Sequence, residues 1–187
     1  MKQFLPIVLN GFMASGKTMV AGALERLLGW PMIDLDELIC DREQRSIRTI
    51  IEEDGETFFR KRESCALHEV IMNPIACIVA LGGGTWALKP NRRLVVQRQC
   101  LTVWLDAPFE LCWERITRGG GPERPLAQNR DQAYRLYQER RPFYRLSTLH
   151  LKADENRSAE DLAAEIVHRG GENSFLPILP TSERCSE

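Results

Sequence analysis

Residues 11–18 read G-F-M-A-S-G-K-T and match G-x-x-x-x-G-K-[ST], the pattern of a phosphate-binding loop. Glycines at both ends let the backbone curl until successive N–H groups face one anion. Lys17 supplies a mobile point charge for β- and γ-phosphates, and the Thr18 hydroxyl suits Mg²⁺. The flanks carry the constraint on the fold. An apolar segment at 4–9 predicts a buried parallel strand. Val20, Leu24, Leu27 and Leu28 then recur at helical spacing until Gly29. Strand, glycine loop and helix are the setting in which a helix N-terminus holds phosphate.

The remaining segments repeat the alternation. Residues 31–33, 75–81, 101–105 and 148–151 predict further strands. Helices are expected from Glu37, from an N-cap at Ser46, over 56–72, 90–98, 109–118 and 130–141, and from Ser158 over 159–168. Strands alternating with helices predict an α/β fold, a three-layer α/β/α arrangement on a five-stranded parallel sheet. At 187 residues, one domain over 1–168 is expected, with a flexible tail over 169–187. Residues 119–129 are polar and glycine-rich, without periodicity, and are expected to form a mobile lid.

Composition excludes several classes. A net charge of −1 gives no global basic field for nucleic acid or a membrane surface. No apolar run approaches the roughly 20 residues of a membrane span. The N-terminus enters the first strand at once, which leaves no segment for a secretion signal, so a cytoplasmic location is expected. None of the six cysteines forms a C-x-x-C pair, and the histidines add no ligand spacing, which argues against zinc. Reduced thiols are expected, most of them packed as small core residues.

The acceptor side is sketched by scattered residues. Asp34 and Asp36 stand two apart at the end of a strand, where open α/β sheets place ligand-contacting groups. The bland alternative is a helix N-cap followed by a first-turn acid, and Asp36 suits both roles. Arg60 and Glu63 are neighbours on one helical face. Local sequence favours a surface ion pair there, with an anion-gripping arginine held by Glu63 as the sharper alternative. Gly82, Gly83 and Gly84 follow the most apolar strand and admit a close backbone approach. Arg124 lies in the expected lid, poised to close over a transferring phosphoryl group. Arg140 and Arg141 end a helix, where they complement its dipole or grip an anion. His150 is expected on a solvated edge strand. Together these suggest phosphoryl transfer from ATP to a small hydroxylated acid.

The ordered combination resembles the shikimate kinase family, small-molecule P-loop kinases of nucleoside monophosphate kinase-like fold. The matching residues are 11–18, Asp34-Leu35-Asp36, Phe59-Arg60 with Glu63, Gly82-Gly83-Gly84, Arg124-Pro125-Leu126, and Arg140 with Pro142 and Tyr144. The resemblance implies ATP-dependent phosphorylation of the shikimate 3-hydroxyl in aromatic amino acid biosynthesis, by a monomer. It implies catalytic roles for Lys17, Asp36 and Arg124. ATP would be bound by Gly11, Ala14, Ser15, Gly16, Lys17, Thr18 and Arg124, with Arg118 against the adenine. Mg²⁺ would be held by Thr18 and, largely through water, Asp34. Shikimate would be bound by Asp36 at its hydroxyls, Arg60 and Arg140 at its carboxylate, and Gly82, Gly83 and Gly84 through backbone. Asp36 is either a general base or an orienting group. Ile51 stands where the family often has an aromatic residue. A kinase of another hydroxy acid such as gluconate, and a non-catalytic nucleotide-binding relative, stay open as alternatives.

Overall fold

The computed structural model describes residues 5–73, 75, 77–118 and 129–172. Five strands run β1 (Ile7–Asn10), β2 (Met32–Asp34), β3 (Ile78–Ala80), β4 (Leu101–Asp106) and β5 (Leu149–Lys152). They form one all-parallel sheet in the order β2-β3-β1-β4-β5. Helices flank it: α1 (Lys17–Leu28), α2 (Leu35–Glu43), α3 (Ile47–Asp54), α4 (Glu56–Met72), α5 (Lys89–Gln97), α6 (Phe109–Arg118), α7 (Arg130–Tyr144) and α8 (Ala159–Glu172). The α/β sandwich with a central parallel sheet is the expected one.

Burial explains the strand order. Every residue of β1 and β3 is buried, and so is all of β4 except Asp106, as apolar runs require when both faces are covered. In β5, Leu149 and Leu151 are buried while His150 and Lys152 are exposed, which marks an edge strand. His150 lies edge-on to Trp104 with ring centroids 5.3 Å apart. From β1 the chain crosses to the β2 side of the sheet, and from β3 it crosses back past β1 to β4. The carboxyl ends of β1 and β3 therefore flank a topological switch point, where open α/β sheets bind ligands. The glycine loop leaves β1 there, and the triple glycine leaves β3.

Caps fix most helix ends where the residues announce them. Gly29, at φ 67°, closes α1 with its N–H on the Glu25 carbonyl at 2.8 Å. The Ser46 hydroxyl accepts from the Thr49 N–H at 3.0 Å and opens α3. Three ends differ from the expectation. The helix after β2 is capped by Asp34, whose Oδ1 accepts from the N–H groups of Asp36 and Glu37, so Asp36 sits in the first turn rather than at the cap. α7 continues past Arg141 through Pro142 to Tyr144. In the last turn a proline removes one hydrogen bond without breaking the helix. α8 runs through Arg169, Gly170 and Gly171 to Glu172 instead of yielding to a tail at Arg169. Gly170 is buried, extending the face of Ile166 and Val167, and Arg169 binds Glu165 at 3.1 Å. Residues 173–187 of the expected tail lie outside the described residues.

Among the described residues no helix is long and apolar enough to cross a membrane. Cys77, Cys100 and Cys112 are buried, as small core residues, whereas Cys40 is half-buried and Cys65 exposed.

Candidate active site

The loop is built by backbone geometry. Gly11 has φ 144°, and a Cβ there would lie 2.8 Å from the Leu105 carbonyl oxygen. Gly16 has φ 95° and caps α1, so the helix N-terminus opens onto the loop. Ala14 also has positive φ, 57°. The Lys17 ammonium folds back over the loop and donates to the carbonyls of Phe12 at 2.9 Å and Gly11 at 3.2 Å. Thr18 Oγ1 donates to Asp34 Oδ2 at 2.6 Å, which joins the first residues of α1 to the end of β2. A hydroxyl and a carboxylate oxygen this close are hard donors of the kind Mg²⁺ takes alongside phosphate oxygens.

The triple glycine makes the second wall, and its lack of side chains is steric. A Cβ on Gly82 would lie 2.5 Å from Asp36 Oδ1 and 2.8 Å from Glu63 Oε1. A Cβ on Gly84 would lie 2.6 Å from Arg60 Nη1, and one on Gly83 would lie 3.3 Å from Arg140 Nη1. Asp36, Arg60 and Arg140, brought from three helices, thus converge on one strand end. Gly83 itself is held by Tyr144, whose hydroxyl donates to the Gly83 carbonyl at 2.5 Å.

Electrostatics set the two arginines apart from surface charges. Arg60 Nη1 donates to Glu63 Oε2 at 2.7 Å, and Glu63 has 0% exposure. The pair is therefore anchored in the interior by Glu63 while Arg60 stays half-buried, and it is not a surface ion pair. Burial pulls the Arg60 guanidinium down, while Glu63 and then Glu56 more than offset it and hold it above the ordinary arginine range. Arg140 is 8% exposed. Burial pushes it below the ordinary arginine range, Arg60 adds to that, and Tyr144 acts in the opposite sense. A buried guanidinium lowered in this way favours a carboxylate partner. The adjacent Arg141 leaves the site and binds Asp106 at 3.1 Å, over Trp104.

These groups line one cleft of about 1340 Å³: Lys17, Thr18 and Asp34 at the phosphate loop, and Asp36, Arg60 and Arg140 around Gly82, Gly83 and Gly84. Met13 and Ile51 supply apolar wall. A smaller hollow of about 510 Å³ shares Gly16, Thr18 and Arg115 with the cleft and is lined further by Ala153, Asp154, Arg157 and Ser158.

The arginines near the expected lid divide unevenly. Arg118 lines the cleft mouth, but its side chain is 80% exposed and pairs with Glu114. Arg115 reaches the loop, donating to the Ala14 carbonyl at 3.2 Å. Neither Arg115 at the loop nor Tyr144 as a partner of Gly83 is among the residues the sequence singles out. Both arginines sit in the last turn of α6, and nothing in the local pattern separates them. Arg124 and residues 119–128 lie outside the described residues, while Asn129 caps α7 by accepting from the Gln132 N–H at 2.9 Å.

Comparisons with known proteins bear on the family and the fold. The family model described as shikimate kinase matches residues 13–170. A shikimate kinase of Ruegeria pomeroyi is 33% identical over 164 residues, covering 86% of this chain and 82% of the relative. One from Symbiobacterium thermophilum is 35% identical over 169 residues, covering 87% and 94%. Among solved structures, shikimate kinase from Acinetobacter baumannii in complex with shikimate superposes with a TM-score of 0.85. It is 34% identical and covers 92% of this chain and 97% of the neighbour.

Proposed function

The chain belongs to the shikimate kinase family, and from that footing we propose that it transfers the γ-phosphoryl group of ATP to the 3-hydroxyl of shikimate. The observation that carries the acceptor assignment is the convergence of Asp36, Arg60 and Arg140 on Gly82, Gly83 and Gly84. Two guanidinium groups suit a carboxylate, and a carboxylate beside them suits hydroxyls.

In this reading the loop N–H groups from Gly11 to Thr18, together with Lys17, hold the β- and γ-phosphates. The base lodges outward beside Arg115, in the hollow that reaches residues 153–158. Thr18 and, largely through water, Asp34 would hold Mg²⁺, which would neutralise charge on the phosphate oxygens. Arg60 and Arg140 fix the acceptor carboxylate, and the Gly83 N–H adds a donor. The acceptor hydroxyl, turned by Asp36, then lies in line with the γ-phosphorus. Its oxygen bonds to phosphorus as the bond to the β-phosphate oxygen breaks, and its proton passes toward the Asp36 carboxylate. Arg124, carried by the lid, closes over the developing charge. Most of the rate enhancement comes from positioning and preorganised charge. The enzyme acts as a monomeric single domain in the cytoplasm, in the branch that makes aromatic amino acids.

A coupled assay with ATP and a panel of shikimate, quinate, gluconate and nucleoside monophosphates tests the acceptor. Shikimate-dependent ADP release is expected, and its absence overturns the assignment. Arg140→Ala, which removes a buried cation, is expected to weaken acceptor binding by about 2–5 kcal/mol. The KM for ATP should stay nearly unchanged. An equal rise in both constants would remove Arg140 from the acceptor side.

A further inference from the structure

Glu63 is wholly buried, and a carboxylate taken out of water needs hydrogen-bond donors on its oxygens. Oε2 accepts from Arg60 at 2.7 Å. Oε1 accepts from the hydroxyl of Thr85, which is 22 positions further along and has 0% exposure itself. Thr85 follows the triple glycine and opens a single 3₁₀ turn, Thr85–Ala87. Its backbone is fixed at both ends. The Thr85 N–H donates to the Gly82 carbonyl at 3.2 Å, and its carbonyl accepts from Nδ2 of the buried Asn91 at 3.1 Å.

We infer that Thr85 is a positioning residue for the acceptor: its hydroxyl fixes the Glu63 carboxylate, and Glu63 holds the Arg60 guanidinium against Gly84. The inference rests on the proposed role of Arg60 at the acceptor carboxylate. The crowding around Gly82 explains why a hydrogen bond is needed there. The position of a Gly82 Cβ is 2.8 Å from Glu63 Oε1, 3.1 Å from Thr85 Oγ1 and 2.5 Å from Asp36 Oδ1. Two carboxylates thus share one small space. Without the Thr85 donor, Glu63 Oε1 faces the Asp36 side with a lone pair unmatched, and the carboxylate turns to find another donor. Arg60 Nη1 is bonded to the other oxygen of the same group and shifts with it, pivoting on the bonds that its Nε and Nη2 make to the exposed Glu56. The sequence signal is a hydroxyl residue directly after the triple glycine, and it has meaning only once α4 is packed beside that strand end.

The test compares wild type, Thr85→Val, Thr85→Ala and Thr85→Ser in steady-state assays with shikimate and ATP varied separately. Losing one hydrogen bond to a charged group is expected to raise the KM for shikimate about tenfold in the valine and alanine variants. The KM for ATP should move by less than about twofold, and serine, which keeps the donor, should restore the wild-type value. In an Arg60→Ala background, Thr85→Ala should add nothing further to the shikimate KM, since the two act in series. An unchanged shikimate KM, an equal rise in both constants, failure of serine to rescue, or additive effects with Arg60→Ala would each overturn the inference. The alanine variant removes the donor without placing a second methyl against the carboxylate, so a valine variant that folds poorly leaves the test intact. A wild-type enzyme inert toward shikimate overturns the acceptor assignment and this inference together. An active wild type matched by its Thr85→Ala variant overturns the inference alone.

Discussion

Asp34 shows how one side chain serves fold and site with different oxygens. Oδ1 caps α2, accepting from Asp36 and Glu37, and Oδ2 accepts from Thr18 beside the phosphate loop. Asparagine caps a helix about as well as aspartate but carries no charge. Asp34→Asn should therefore leave unfolding stability within about 0.5 kcal/mol of wild type. If the proposed metal role holds, the Mg²⁺ concentration for half-maximal activity should rise about tenfold, because Mg²⁺ favours carboxylate oxygens. An unchanged Mg²⁺ dependence in a magnesium titration removes that role. The pair Asp34 and Asp36 was legible as a pair, but not which acid caps, because a helix follows both. Arg60 and Glu63 were legible as neighbours, and not as a pair that Glu63 anchors in the interior. What buries them is the triple glycine and Thr85, brought by a strand remote in sequence. Local spacing carries no information about such a partner.

At the scale of elements, α8 bears on the site through α1, against which it packs. Its N-terminus is closed by a reciprocal box. The Ser158 hydroxyl accepts from the Asp161 N–H at 3.0 Å, and Asp161 Oδ2 accepts from the Ser158 N–H at 3.0 Å and its hydroxyl at 2.7 Å. Those bonds from Ser158 hold the Asp161 carboxyl below the ordinary carboxylate range. The sign follows. A depressed carboxylate adds stability above its unfolded value of about 4, and that contribution is lost as pH falls through the folded value. Ser158→Ala should cost about 1 kcal/mol. Asp161→Asn should lower the urea midpoint near neutrality, and its gap from wild type should close as pH falls below the ordinary carboxylate range. A gap that does not vary with pH would show that the ionised carboxylate is not what matters. The box was legible at Ser158, but the far end of α8 was not, since Gly170 and Gly171 read as breakers. Burial of Gly170 against the core overrides that propensity. The same override lets α7 pass Pro142, and the extra turn is what brings Tyr144 to the Gly83 carbonyl.

For the whole molecule, the cysteines report on how tightly the sheet and its helices close. Burial pushes the thiols of Cys77 and Cys112 up to about 11 and that of Cys100 up to about 12. The thiolate is the reacting species, so at about pH 8 fewer than roughly one in a hundred of these groups is reactive even where reagent has access. Access is also closed, since each is buried. Cys65, exposed on α4, should react with a disulfide reagent within the mixing phase, while Cys77, Cys100 and Cys112 should react only as fast as the protein opens. Cys40 lies between these limits. It is half-buried and lines the cleft, and burial and the nearby Asp36, Asp41 and Asp34 charges raise its thiol. It should react more slowly than Cys65, and if the cleft holds ATP and shikimate, their addition should slow it further while Cys65 is unaffected. Mass spectrometry of the labelled peptides separates the sites. Rapid labelling of Cys77, Cys100 or Cys112 in the folded enzyme would contradict the closed core, and equal protection of Cys40 and Cys65 would move ligand binding away from this cleft.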